Sequence, residues 1–312
     1  MRILVTGATG FIGKALVKEL IKDNHEIICF VRKTSKIDFL EHAGIQTIVG
    51  NITNAYSVDE VFRKIRPEKV FHCAAAVMQK NKELLDKANI TGTFNVCDAC
   101  LKYSVKRLIY LSSVSVISGN PSVPLKDGLP YSATNNYGTS KIEAERIAID
   151  FRNKGLKTAI IRPCIVYGEE EPHALDKILT LMSRRRIPVL NVAGMDSKLN
   201  IVYIDNVVEI LLLASEKDEA LEGTFVVADR DIITLRKFLE FVYHELGISR
   251  FPIIPGWIVR LGMLVPPFRK IIDRICKDRV YDITRAESVL GYDPKVTTQE
   301  GLKRTVKWWL AK

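Results

Sequence analysis

Tyr137 and Lys141 stand four residues apart in Tyr137-Gly138-Thr139-Ser140-Lys141. On a helix this spacing puts both side chains on one face. A free phenol has a pKa of about 10 and is a poor base at neutral pH, but a neighbouring ammonium favours the phenolate. Each unit of lowering is worth about 1.4 kcal/mol. Tyr137 tuned in this way could take a proton from an alcohol or give one to a carbonyl oxygen. Ser112-Ser113 closes the apolar run Leu108–Ser112, which reads as a strand. Open α/β sheets hold their ligands at the carboxyl ends of strands, so a serine hydroxyl there could hold a substrate oxygen. A tyrosine four residues before a lysine is common by chance, so this spacing gains meaning only from what precedes it.

What precedes it is Thr6-Gly7-Ala8-Thr9-Gly10-Phe11-Ile12-Gly13, between the first apolar strand and the first helical pattern. Gly7 permits a tight turn, Gly10 a close approach of backbone to a pyrophosphate, and Gly13 close helix–strand packing. The helix N-terminus adds free N–H groups and a positive dipole end for phosphates. The second strand of such a unit normally ends in an acid that binds the adenosine ribose. Here it ends Val31-Arg32-Lys33-Thr34-Ser35, without Asp or Glu. A guanidinium beside a lysine and hydroxyls suits a 2′-phosphate, worth roughly a 10–100-fold preference. NADP(H) is therefore the expected cofactor and NAD(H) the alternative, the competing reading of Arg32 being a solvated loop charge.

Apolar strands alternate with helical patterns through the first half. Strands are expected at Ile3–Thr6, Glu26–Val31, Gln46–Val49, Val70–Cys73, Leu108–Ser112 and Thr158–Ile161. Helices are expected at Phe11–Ile21, Val58–Ile65, Glu83–Tyr103 and Asn136–Lys154. Continuous apolar strands separated by helices make a parallel sheet covered on both faces, a doubly wound α/β (Rossmann) fold. After Arg162-Pro163 the alternation weakens. Short strands (Pro188–Asn191, Ile201–Tyr203, Thr224–Val227) mix with helices (Leu175–Arg184, Asp205–Ser215, Leu235–Leu246, Gln299–Leu310), with Asp205 and Thr234 as N-caps. We expect a dinucleotide-binding domain at 1–163 and a smaller, mixed substrate-binding lobe at 164–312, interleaved with the last Rossmann elements.

Composition restricts the alternatives. The 312 residues are 47% hydrophobic and 26% charged, which excludes a disordered or low-complexity chain. The net charge of +10 is mild, and Arg184-Arg185-Arg186 is the only basic run, so nucleic acid is not expected as a partner. The longest apolar stretch, Ile201–Ala214, contains Asp205, Asn206 and Glu209 and is too short to span a bilayer. Arg2 leads at once into strand-like Ile3-Leu4-Val5, not a leader, so a cytoplasmic protein is expected. Cys97 and Cys100 form a Cys-x-x-Cys without a second ligand pair, so they are read as reduced core residues, and no metal is expected.

Taken together these pieces resemble the extended short-chain dehydrogenase/reductase superfamily, also called the NAD-dependent epimerase/dehydratase family. The resemblance runs through Thr6–Gly13, Val70-Phe71-His72-Cys73-Ala74-Ala75, Asn89-Ile90-Thr91-Gly92-Thr93, Leu111-Ser112-Ser113, Tyr137–Lys141, Arg162-Pro163-Cys164-Ile165-Val166-Tyr167-Gly168 and Val202-Tyr203-Ile204-Asp205. It implies a catalytic triad of Ser113, Tyr137 and Lys141, with Asn89 as an organiser acting through an ordered water. Lys141 would also hold the nicotinamide ribose. The implied cofactor contacts are Gly7, Thr9, Gly10, Phe11, Ile12, Gly13, Arg32, Lys33, Asn51, Ile52, Ala74, Ala75, Ala76, Tyr137, Lys141, Pro163, Ile165 and Val166.

The departures narrow the activity. Gly50-Asn51 replaces the usual Gly-Asp, and Val114-Ser115 replaces the Asp-Glu pair of family dehydratases. Lys198-Leu199-Asn200 lacks the arginine with which nucleotide-sugar epimerases grip a pyrophosphate. The second-strand end and the Asp282–Pro294 segment look more like the dihydroflavonol-reductase and 3β-hydroxysteroid-dehydrogenase branches. The expected activity is hydride transfer between nicotinamide and a ketone or secondary alcohol. The alternatives are a UDP-sugar epimerase using the same triad, and a non-catalytic NADP(H)-binding assembly or regulatory protein. The resemblance also implies a homodimer through Glu83–Tyr103 and Asn136–Lys154. Gly256–Cys276 mixes Trp257, Leu261 and Leu264 with Arg260, Arg269, Lys270 and Arg274. Its readings are a pocket wall, ordinary packing with snorkelling cations, or a membrane-surface patch; ordinary packing is the expectation, and membrane contact is not expected.

Overall fold

The protein is described from a computed structural model that covers residues 1–172, 175–190, 193–267, 269, 272 and 277–312. Seven parallel strands form one sheet: β1 (Arg2–Thr6), β2 (Glu26–Val31), β3 (Gln46–Val49), β4 (Lys69–His72), β5 (Arg107–Leu111), β6 (Thr158–Pro163) and a late strand, Thr224–Val227. In space the order is Thr224–Val227, β6, β5, β4, β1, β2, β3. The chain thus winds outward from β1 in one direction and from β4 in the other. The crevice at the carboxyl ends of β1 and β4 is the switch point where doubly wound sheets bind ligands.

Successive strand residues point to opposite faces, and both faces are covered. Ile3, Val5, Cys29 and Val31 join the core beneath helix α1 (Phe11–Leu20) and the helix Ile204–Glu216. Leu4, Ile28 and Phe30 join the opposite core beneath the helices Ala55–Ile65, Gly92–Lys102 and Asn136–Asn153. Cys97 and Cys100 lie within that second core, and burial holds their thiols protonated. A third apolar cluster, with Leu179, Met182, Tyr203, Tyr243 and Val306, gathers elements that follow β6 and packs against Phe11 and Ala15 of α1.

Several elements differ from expectation. The expected helix Glu83–Tyr103 is interrupted: Lys82–Asp86 and Gly92–Lys102 flank a π-turn at Lys87–Thr91, which seats Asn89 in the interior. Helix Ala55–Ile65 starts earlier than Val58, because Asn54 caps it by accepting from the Ser57 N–H at 3.1 Å. Asp205 is not an N-cap. The helix begins at Ile204 behind extended Tyr203, with Asp205 in its first turn. Thr234 does cap its helix, accepting from Lys237 N–H at 3.2 Å. Thr224–Val227 has its expected bounds, but it pairs with β6 as the edge of the main sheet. Asn191, Lys270, Arg274 and Cys276 lie outside the described residues.

Candidate active site

The glycine turn meets the end of β4 at the switch point. Gly7 has φ +73°, and a β-carbon there would stand 2.6 Å from the Ala74 nitrogen. At Gly13 it would stand 2.1 Å from the Gly7 carbonyl oxygen. Only glycine fits either place. Gly10 caps α1 without a side-chain hydrogen bond, so the first helical turn presents its N–H groups to the cleft.

Two connected cavities share Gly7, Gly10, Cys73 and Ala75. The first, about 510 Å³, runs past Thr9, Arg32, Asn51, Ile52, Ala74 and Ala76 to the end of β2. It can take an adenosine half. Its lining also includes Ser35, Gln79 and Lys87, which sequence reasoning missed, and contains no carboxylate among the described residues. Lys33 is exposed at the end of β2 and is not part of this lining. The second cavity, about 440 Å³, is lined by Phe11, Ile12, Gly13, Pro163, Ile165 and Val166 and contains Ser113, Tyr137 and Lys141. It can take a nicotinamide half and a substrate.

The helix Asn136–Asn153 carries the proton chemistry. Asn135 caps it by accepting from Gly138 N–H at 2.8 Å. Gly138 lies so close to the Ser113–Ser115 turn that a β-carbon would approach the Ser115 carbonyl to 2.7 Å. Tyr137 is thereby held beside Ser113. The two adjacent serines divide the work: Ser112 is buried and donates to Glu145 Oε2 at 2.6 Å, whereas Ser113 faces the cavity and bonds Ser115 Oγ at 3.1 Å. Lys141 is buried beneath them and donates to the Leu111 carbonyl at 2.8 Å, its Nζ 4.3 Å from the Tyr110 ring centre.

Electrostatics departs from the simple expectation that Lys141 lowers the phenol. Burial pushes Tyr137 up to about 12, with the Ser113 hydroxyl partly opposing it. Burial also pushes Lys141 down to about 7, with Glu145 partly opposing it. The ammonium is spent on a main-chain carbonyl, and the phenol keeps its proton at neutral pH.

Asn89 links the cofactor cradle to this helix. Its Oδ1 accepts from Ala76 N–H at 2.7 Å, and its Nδ2 donates to Ala76 O at 3.0 Å and to Ser140 Oγ at 2.9 Å. These direct bonds join the Ala76 backbone to the helix that carries Tyr137. Behind Asn89 lies a buried relay not foreseen from sequence. Thr93 Oγ1 donates to the Asn89 carbonyl at 2.6 Å and so accepts from His72 Nε2 at 3.2 Å. His72 Nδ1 is then the acceptor for Thr6 Oγ1 at 2.7 Å. Burial, reinforced by Lys141, holds His72 down to about 3, so it stays neutral.

Two further anchors were also missed. Glu145, two turns after Tyr137 on the same face, forms a buried pair with Arg162 of β6. Glu170, at φ +66°, takes both Lys14 and Lys18 of α1 and draws the 168–172 segment over the glycine turn. Both anchors join positions distant in sequence, and neither leaves a periodic signature.

A Rossmann cleft with a glycine turn at the switch point and a Ser, Tyr and Lys cluster at its inner end defines a nicotinamide-dependent enzyme. The chain belongs to the NAD dependent epimerase/dehydratase family, which it matches over residues 3–228. Members are NAD(P)-dependent enzymes of the oxidoreductase and epimerase kind. The chain is 30% identical to a UDP-glucose 4-epimerase from Vibrio cholerae, over 99% of this chain and 95% of that one. It is 25% identical to a decarboxylating sterol-4-alpha-carboxylate 3-dehydrogenase from Schizosaccharomyces pombe, over 98% and 96%. Its fold matches that of the Thermotoga maritima UDP-glucose 4-epimerase solved with UDP-glucose, with TM-score 0.81, 27% identity and coverage of 100% and 99%. Dehydrogenases and a sugar-nucleotide epimerase are thus both among its relatives.

Proposed function

We propose that the protein is an NADP(H)-dependent oxidoreductase acting on an apolar ketone or secondary alcohol. The observation that carries this reading is the lining of the inner cavity. Around Ser113 and Tyr137 stand Val77, Val114, Pro163, Cys164 and Ile165, and among the described residues of the lining only Lys141 and Glu171 are charged. No guanidinium among the described residues of this cavity is available to grip a pyrophosphate, and Lys198 is exposed elsewhere. Arg32 and Lys87 in a carboxylate-free adenosine end support the 2′-phosphate.

A bound nicotinamide supplies or accepts the hydride. Ser113 orients the substrate oxygen by a hydrogen bond; Tyr137 as the phenol donates its proton to that oxygen during reduction, and the phenolate so formed is the base that takes the alcohol proton in the reverse, oxidising direction. Lys141 and Asn89 hold the helix and the cradle in register. Residues 1–163 bind the dinucleotide and 164–312 the substrate, with Thr224–Val227 returning to the sheet. The same proposal includes a homodimer through Glu83–Tyr103 and Asn136–Lys154, where Phe94 is an exposed large apolar side chain, and a cytoplasmic location.

A second reading, a UDP-sugar epimerase using the same three groups, is favoured by the likeness to the Vibrio cholerae relative. Calorimetric titration with NADPH, NADH and UDP-sugars separates the two. Tight NADPH binding without sugar-nucleotide binding, followed by NADPH oxidation with apolar ketones, supports the oxidoreductase. NADH preference together with UDP-sugar binding makes it an epimerase.

A further inference from the structure

The face least explained by the site is the short helix Gly256–Gly262 and the residues after it. Ordinary packing predicts its large apolar side chains inside, yet only Val259 is fully buried. Trp257, Ile258, Leu261, Leu264 and Val265 are exposed, Leu264 by 79%. Together with Ile253 they make six of the 18 exposed large apolar side chains among the described residues, all within 13 positions. Trp257 and Leu261 stand at i and i+4 on the helix and so share one outward face, and Leu264 is exposed in the turn that follows.

A basic cluster adjoins this face. The strands Val189–Leu190 and Ile253–Ile254 run parallel, and Val189 N–H donates to Pro252 O at 2.9 Å. Arg186 and Arg250 each stand three residues before this strand pair. Arg184, Arg185, Arg186, Arg250 and Arg260 are all exposed, and none forms an ion pair within the described structure. Some exposed cations elsewhere are paired, as Arg230 is with Glu287 and Arg304 with Glu300. Unpaired arginines beside an outward apolar stripe complement a surface that is both anionic and greasy.

We propose that this face docks the protein peripherally on an anionic lipid bilayer, with Trp257, Leu261 and Leu264 entering the interface and the arginines meeting lipid phosphates. The test is co-sedimentation of the full chain with phosphatidylcholine vesicles, with and without phosphatidylglycerol. Binding is expected only with phosphatidylglycerol and should weaken as salt rises. Replacing Arg184, Arg185 and Arg186 together by Gln should lower partitioning roughly a hundredfold. Trp257→Ala with Leu261→Ala should lower it roughly tenfold or more per side chain. NADPH affinity in both variants reports that the fold is intact. No binding to anionic vesicles, or equal binding to pure phosphatidylcholine, overturns the proposal. A concentration-dependent dimer abolished by Trp257→Ala, without vesicle binding, also overturns it and assigns the face to a second copy of the chain.

Discussion

Glu145 and Arg162 are paired almost without solvent contact, and the pair fastens the helix bearing Tyr137 and Lys141 to the neighbouring strand β6. Glu145 also accepts from Ser112 and, at 2.9 Å, from Tyr131, while Arg162 donates to Asp127 O at 2.9 Å. Removing one partner leaves the other charge buried and alone. Glu145→Ala should therefore lower the unfolding free energy by about 3–5 kcal/mol. Chemical denaturation measures this, and a loss below about 1 kcal/mol would show that the pair is not an anchor.

Tyr137→Phe removes the only proton donor that the mechanism uses. Turnover should fall by at least about a hundredfold, while NADPH affinity stays within a few-fold. Retained turnover would remove Tyr137 from the chemistry.

Arg32→Ala should weaken NADPH binding by roughly 10- to 100-fold and leave NADH binding unchanged. Equal losses for both cofactors would mean that Arg32 does not read a 2′-phosphate.

Lys141 is held down to about 7, against 10.5 for an ordinary lysine. Between these values the unfolded chain binds more protons than the folded one, so stability rises with pH across that interval. Unfolding free energy should increase from pH 7 to pH 9 in the wild type, and the increase should be smaller in Lys141→Met. Parallel pH profiles for the two proteins would contradict the buried-amine reading.

His72 is held down to about 3, against 6.5 when unfolded. Its contribution is complete above pH 6.5 and is lost as pH falls towards 3, because the unfolded chain then takes up a proton that the folded chain refuses. The stability advantage of wild type over His72→Gln should shrink between pH 6.5 and pH 4. An advantage independent of pH would mean that the imidazole is not locked neutral between Thr6 and Thr93.

Much of this was legible in the amino-acid order, because it depends on short-range geometry. Gly7, Gly10 and Gly13 sit on one turn, Tyr137 and Lys141 one helical turn apart, and the apolar strands each announce burial on both faces. Family membership follows from these local patterns. What the order could not show was partner choice. Hydrophobic periodicity says that a side chain is buried, not what it meets. Glu145 meets Arg162 17 positions away, and Asp127 accepts from Val226 N–H across 99, only because the sheet order sets β6 between β5 and Thr224–Val227. The same folding placed Ser112 against Glu145 and left Ser113 for the cavity, seated Asn89 inside through a π-turn, and turned Trp257 and Leu261 outward. Tertiary structure also set the surroundings of Tyr137, where burial raises the phenol and the Lys141 amine is held by the Leu111 carbonyl.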